Sequence, residues 1–259
     1  MIRRAVVFAA ASVALGFLAL PVAAIFARVP PGRLFAQLGN PVVTDALAVS
    51  AKTTLVAQAL VLLFGTPAAF VLARRFPGRG LLVALVELPL VLPPAVAGIG
   101  LLAAFGRFGL LHTSIPFTQT AVVLAVAFVA SPLYVRAAIA AFEGVDANVV
   151  AASRTLGAGP ARTFFRVILP LARPGLAAGA ALAFARGLGE FGATIMFAGS
   201  LRGVTETLPL AVYSEFNVDF DVALAISALL VAISAAVLVA LKWPSLSTSR
   251  FRFATSTSS

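Results

Sequence analysis

The chain of 259 residues is 61% hydrophobic and only 11% charged, and its net charge is +10. A soluble domain averages about 45–50% apolar and about 25% charged residues, so this composition indicates that lipid covers much of the chain. The sequence contains no cysteine and one histidine, His112, which excludes disulfides and Cys-ligated metals and leaves little scope for other metal sites. The basic residues flank apolar runs instead of forming one stripe, which indicates membrane topology and argues against nucleic-acid binding.

Six apolar runs are long enough to cross a bilayer, which requires roughly 20 helical residues. In chain order the predicted spans lie within residues 5–27, 46–73, 81–105, 118–141, 175–198 and 222–241. The first run follows two arginines and also resembles a signal peptide, but its length favours a retained helix. The sequence therefore predicts an all-α fold with one membrane domain over residues 1–242. A Ser/Thr-rich tail over residues 243–259 is expected to be disordered.

Lysine and arginine collect in alternate connecting segments, and such residues mark the cytoplasmic side of a membrane protein. With the N-terminus inside, the outer segments contain only four of them: Arg28, Arg33, Arg107 and Arg202. This bias predicts that both termini and the long polar segment 143–173 are cytoplasmic.

The sequence offers no ATP-binding loop of its own, because neither Lys52 nor Lys242 follows a G-x-x-x-x-G-K-[ST] pattern. Any ATP must therefore be bound by a partner. A carrier driven by an ion gradient would instead need ionisable groups or broken helices at mid-membrane depth. The candidates for such charges are Lys52, Glu87, Arg186 and Glu190, of which Lys52 and Glu87 lie near predicted span ends and can extend to the interface.

The polar segment 143–173 contains two patterns typical of short helices. Val149, Ala152 and Leu156 recur at helical spacing, and Gly157 with the proline at 160 forms a stop signal. A second short helix is predicted over residues 161–169. The pair is either an amphipathic element on the membrane surface or a docking element for a cytoplasmic partner.

This segment resembles the coupling loop of ABC importer permeases, whose signature is Glu-Ala-Ala, three residues, Gly, nine residues, Ile-x-Leu-Pro. The spacing is kept here, but Ala151 replaces the Glu, Ser153 the second Ala and Val167 the Ile. The resemblance implies docking onto an ATPase subunit that binds ATP and Mg²⁺, and loss of the Glu predicts a matched partner. The implied coupling residues are Ala151, Ala152, Ser153, Arg154, Leu156, Gly157, Phe164, Leu169 and Pro170.

Further stretches narrow the resemblance. Residues 182–195, which include Leu-Gly-Glu-Phe-Gly, closely resemble the fifth span of molybdate/tungstate permeases, and sulfate permeases look similar there. Residues 76–80, 88–98 and 203–213 look more like the molybdate group. The resemblance covers about residues 45–242 and implies a permease for molybdate, with tungstate as a second candidate ion; a sulfate/thiosulfate permease is the alternative.

Six residues are candidates for the translocation path or gate: Pro93, Pro94, Ser131, Arg186, Glu190 and Thr194. The prolines either kink a path-lining helix or only pack against a neighbour. Arg186 and Glu190 are one helical turn apart and form either a structural ion pair or a substrate contact. The Ser131 hydroxyl either meets an oxyanion or bonds its own helix.

The resemblance implies the importer-permease fold in a prokaryotic inner (plasma) membrane, as a homodimer above an ATPase dimer. An extracytoplasmic binding protein would deliver the ion. The chain itself would be a transport subunit with no enzymatic activity, metal or cofactor. Two rival classes remain: an ATP-independent secondary transporter, and a channel or structural anchor that would need no coupling loop.

Overall fold

The computed structural model describes residues 2–28 and 30–248, which form twelve α-helices and a π-helical turn, with no β-strand among them. The first six helices are α1 (Ile2–Arg28), α2 (Pro31–Gln37), α3 (Pro41–Leu72), α4 (Arg79–Val91), α5 (Pro94–Phe105) and α6 (Gln119–Glu143). There follow α7 (Ala147–Thr155), α8 (Pro160–Thr163), the π-helical turn (Phe164–Ile168), α9 (Leu169–Leu188), α10 (Gly192–Ala198), α11 (Leu208–Glu215) and α12 (Phe220–Thr248). The predicted all-α class is confirmed.

Five stretches of unbroken helix are long and apolar enough to cross a membrane: Val6–Arg28, Pro41–Leu72, Gln119–Glu143, Pro160–Leu188 and Phe220–Ala240. The sixth candidate, α4 with α5, is bent by 114° at a short break. The predicted third span is therefore not one straight helix. The bounds of the predicted fifth span, 175–198, are wrong, because the long helix starts at Pro160 and ends at Leu188.

The C-terminal helix extends further than the sequence indicates. It continues to Thr248, so residues 243–248 of the expected tail are helical. Residues 249–259 lie outside the described residues.

α6 is the central helix of the bundle. It packs on α3, α9, α4 and α10, and 61% of its most apolar stretch is buried inside the chain, more than in any other span. By contrast, α1 buries none of its apolar stretch and meets mainly α12. Between α3 and α6, the Tyr134 hydroxyl lies 2.6 Å from Thr66 Oγ1. The Thr66 hydroxyl donates to the Leu62 carbonyl oxygen at 2.7 Å.

Glycines allow α9 to lie directly against α6. A Cβ atom placed on Gly175 would be 2.6 Å from Cβ of Ala141, and one placed on Gly179 would be 2.6 Å from Cβ of Ala137. Small residues are the usual means of bringing membrane helices this close, since lipid provides no hydrophobic driving force between them.

Replacing Gly179 with valine should therefore push α9 away from α6, at a cost of about 1–3 kcal/mol typical of overpacking. The Ala177→Val variant is the matched control, because Ala177 is exposed two residues earlier on the same helix. Thermal unfolding in detergent should show a clear loss for Gly179→Val only; equal midpoints for the two variants would contradict this packing.

Candidate functional site

The break between α4 and α5 is built by Pro93 and Pro94. Neither residue has a backbone N–H, and a residue before proline is pushed towards extended backbone. Leu92 and Pro93 accordingly have ψ angles of 133° and 132°, and Pro94 begins α5. Because α4 has 13 residues, the break lies about 20 Å from Arg79 along the helix axis, at membrane depth.

A second break separates α9 from α10 at Gly189, Glu190 and Phe191. α9 ends at Leu188, and Phe191 adopts φ −125° and ψ −57° before α10 begins at Gly192. The Glu190 N–H donates to the Gly187 carbonyl oxygen at 3.1 Å, which closes the end of α9.

The two breaks pack directly against each other. A Cβ atom on Gly192 would lie 2.6 Å from Cβ of Pro94, and one on Gly98 would lie 2.6 Å from the Ala193 carbonyl oxygen. Only glycine permits such close contact between backbones. Irregular backbone at membrane depth persists only where it is buried in protein or lines water. In this chain the Pro93 and Pro94 side chains are exposed. The paired breaks are therefore the candidate functional site.

Glu190 holds the second break together. Its Oε2 atom lies 2.6 Å from Nη1 of Arg186, and its Oε1 atom accepts the Ala193 N–H at 2.8 Å. The Glu190 side chain is 1% exposed and that of Arg186 35% exposed. One carboxylate thus pairs with the last turn of α9 and caps the first turn of α10. The geometry favours a structural ion pair over a free anion-binding arginine.

The remaining path candidates have different environments. Thr194 is fully buried on α10, and its hydroxyl has no hydrogen-bond partner among the described residues. Ser131 lies away from the breaks. Its hydroxyl donates to the Phe128 carbonyl oxygen at 3.3 Å, and it borders a mostly apolar cavity of about 370 Å³ between α3, α5 and α6. The structure thus brings Pro93, Pro94, Arg186, Glu190 and Thr194 to one junction, but not Ser131.

A second group of charges joins α4 to α6 and was not among the path candidates. Arg79 pairs with Glu143 near the ends of these helices, and Arg136 Nε lies 3.6 Å from Glu87 Oε1 further along. Glu87 therefore meets a partner helix instead of extending to the interface. The sequence patterns assign no path role to Arg136; its position seven residues before the end of α6, inside the fourth predicted span, is the signal that could have identified it.

The predicted docking element forms a defined helix at the opposite end from α11. Asp146 caps the start of α7, and its Oδ1 accepts the Asn148 N–H at 2.8 Å. Gly157 ends the helix at φ +83°, and its N–H donates to the Arg154 carbonyl oxygen while that of Ala158 donates to Ser153. This pair of bonds is a Schellman motif, which favours glycine at the left-handed position.

The surface of α7 is open, with Ala151, Ala152, Arg154 and Leu156 exposed, Leu156 to 87%. Ser153 is half-buried; its Oγ donates to the Val150 carbonyl oxygen at 2.8 Å and lies 3.3 Å from Oγ1 of Thr163 in α8. α7 is therefore fixed to α8 on one side, and its open surface carries small side chains, Leu156 and the charged Arg154.

The expected separate helix over residues 161–169 is wrong. α8, the π-helical turn and α9 form one continuous helix, so Leu169 and Pro170 lie within it, half-buried and exposed respectively. Phe164 at its start packs against Phe70 of α3, with ring centroids 4.7 Å apart, and against Phe142 of α6 at 6.3 Å. The docking element is thereby joined directly to the spanning bundle.

Solved structures with this architecture define the class of the fold. Chains from the MetNI methionine ABC transporter in inward-facing conformations superpose with a TM-score of 0.62 at 22% identity, over 77% of this chain and 92% of that chain. A bacterial ABC transporter involved in import of the acidic polysaccharide alginate superposes with a TM-score of 0.61 at 16% identity, over 96% of this chain and 98% of that chain. The fold of this chain is therefore shared with chains of these two ABC transporters.

Sequence relatives identify the family. The chain is 48% identical over 236 residues to a molybdenum transport system permease protein of Mycobacterium tuberculosis, covering 86% of this chain and 88% of the relative. A molybdate/tungstate transport system permease protein of Pyrococcus abyssi is 34% identical, over 88% of this chain and 89% of the relative. Residues 62–243 match the family model described as binding-protein-dependent transport system inner membrane component, and the chain belongs to this family.

Replacing Gly157 with alanine should loosen the end of α7, because an L-residue at positive φ costs about 1–2 kcal/mol. Gly159→Ala is the matched control, since Gly159 has φ −65° and open space around a Cβ atom. Hydrogen exchange of residues 147–158 should be at least about fivefold faster in Gly157→Ala than in the control. Equal exchange in both variants would show that Gly157 is not required for the cap.

Replacing Glu190 with glutamine should destabilise the second break, because Arg186 loses its only ion pair among the described residues. Breaking a buried pair costs about 3–5 kcal/mol, and the partial exposure of Arg186 places the expected loss at the lower end. Asp45→Asn is the control, because Asp45 and Arg202 form an exposed pair at 3.3 Å whose loss should cost less than about 1 kcal/mol. Similar unfolding midpoints for the two variants would contradict a structural role for Glu190.

Proposed function

We propose that this chain is the permease subunit of an ATP-driven importer that moves molybdate across a prokaryotic inner membrane, with tungstate as a second candidate ion. The observation that carries this proposal is the 48% identity, over most of both chains, to a relative named as a molybdenum transport permease. The relative from Escherichia coli K12, 45% identical over 179 residues, carries the same name. These relatives are named for molybdenum or for molybdate/tungstate, which supports molybdate over the sulfate/thiosulfate alternative.

The partners follow from the family and from the exposed surface of α7. A binding-protein-dependent transporter implies an extracytoplasmic binding protein that delivers the ion. We assign ATP and Mg²⁺ to a separate ATPase dimer, because the chain has no phosphate-binding loop. A short helix that exposes Ala151, Ala152 and Arg154 is suited to a groove on that ATPase. A second copy of this chain would complete the path, with α7 and both termini in the cytoplasm.

Coupling would work through the continuous helix Pro160–Leu188. α7 is tied to α8 by Ser153 and Thr163, and α8 continues without a loop to Arg186 at the second break. Approach of two ATPase subunits would therefore move α9 as one body and shift the α9–α10 break against the α4–α5 break. Such a shift between two discrete packings is the usual basis of alternating access.

The substrate and the energy source can be tested together in liposomes that contain this chain, its ATPase and its binding protein. Labelled molybdate should accumulate only with ATP, and an equal concentration of sulfate should leave its uptake unchanged. Competition by equimolar sulfate would overturn the molybdate assignment. Uptake by this chain alone, driven by an ion gradient, would overturn the importer class.

A further inference from the structure

The Glu87–Arg136 pair lies well inside the membrane-spanning part of the bundle. The Arg79–Glu143 pair joins the same two helices and marks their ends. Arg136 precedes Glu143 by seven residues, and Glu87 follows Arg79 by eight, which places them about 10 Å and about 12 Å further along their helices. A bilayer core is about 30 Å thick, so both charges lie at hydrocarbon depth.

Both side chains are nevertheless exposed, Arg136 to 70% and Glu87 to 37%. α6 is the most enclosed helix of the chain, and beyond residue 130 the exposed positions before its C-cap are Arg136, Ala140 and Glu143. The lipid-facing surface expected of a span looks different: on α3 the exposed side chains include Leu55, Leu63 and Phe64. Charges at membrane depth almost always face the bundle interior or a water-filled cavity. The strip formed by Arg136, Ala140 and Glu143 therefore has the character of a surface that faces water.

The contact between the two charges is loose. The printed contact, between Arg136 Nε and Glu87 Oε1, is 3.6 Å long, which exceeds a normal hydrogen bond, and Arg136 makes no side-chain hydrogen bond in the described part of the chain. Arg186 differs, because its contact with the buried Glu190 is 2.6 Å long. The guanidinium of Arg136, 70% exposed, thus keeps donors that can meet another acceptor.

We propose that Arg136 and Glu87 line the cytoplasmic half of the translocation path and that Arg136 contacts the passing oxyanion. This inference rests on the proposed function. A guanidinium presents paired N–H donors that match two oxygens of a tetrahedral anion. Glu87 beside it keeps the local charge near zero, which weakens binding. Weak binding is required, because an ion held tightly by an arginine alone would not leave the path.

The first test measures water access and does not depend on which ion is transported. The natural sequence has no cysteine, so single-cysteine variants need no further changes. In inside-out vesicles that contain the assembled, nucleotide-free complex, a membrane-impermeant methanethiosulfonate should modify Ala140→Cys and Arg136→Cys. Ala140 is the conservative position on the same strip. Leu63→Cys, on the apolar face of α3, should react at least about tenfold more slowly, as expected of a lipid-covered thiol. Reaction of both strip variants as slow as that of Leu63→Cys would overturn the proposal.

The second test separates an oxyanion contact from a purely structural pair. Arg136→Gln should lower the maximal rate of ATP-driven molybdate uptake by at least about tenfold, the size expected for losing a hydrogen bond to a charged group. Arg136→Lys should retain part of the rate. The double variant Glu87→Gln/Arg136→Gln leaves no unpaired charge, so the complex should assemble in normal yield but its uptake should stay low. Wild-type uptake by the double variant would show that the pair is only structural.

Failure of this inference and failure of the proposed function give different results. If the parent complex takes up no anion with ATP, the function is wrong, whatever the labelling shows. If the parent transports molybdate but the strip is not labelled from water, only the role of Arg136 and Glu87 is wrong.

Discussion

A helix that stops inside a membrane leaves backbone N–H and C=O groups that lipid cannot satisfy, and this chain places two such stops side by side. Glu190 stabilises the second stop, because one carboxylate oxygen accepts the Ala193 amide in the first turn of α10 while the other pairs with Arg186. Gly192 and Gly98 let the α4–α5 and α9–α10 breaks pack without intervening side chains. The arrangement leaves irregular backbone at the place where a transport path requires it, while the rest of the bundle stays regular.

The same constraint supports the proposed coupling of a partner ATPase to the two breaks. The docking helix α7 ends in a glycine cap and is joined through Ser153 and Thr163 to a helix that runs unbroken to Arg186. A rigid helix transmits displacement along its length, whereas the two breaks offer places where segments can change their packing. The aromatic cluster of Phe70, Phe142 and Phe164 connects the start of this helix to α3 and α6.

Much of the fold could be predicted from the sequence, because long apolar runs determine spans through composition alone. Pro93 and Pro94 indicated an interruption, but a bend of 114° depends on which neighbour fills the gap, here Gly192. The fifth span was placed too late because Arg162, Arg166 and Arg173 suggested a loop, although a helix can continue out of the membrane into a polar segment. The position of Arg136 inside a span can be recognised from the sequence, but its pairing with Glu87 cannot, since that depends on α4 lying against α6.

In the proposed mechanism, the paired breaks form a gate, and the side of the membrane from which water reaches it changes with the nucleotide state of the partner ATPase. Val91 is 81% exposed at the end of α4, next to the first break. Because the sequence contains no cysteine, the Val91→Cys variant places a single reactive thiol there. In the assembled complex, the thiol of Val91→Cys should react with an impermeant reagent from the cytoplasmic side without nucleotide and from the opposite side when ATP is trapped. Identical access in both states would contradict the account.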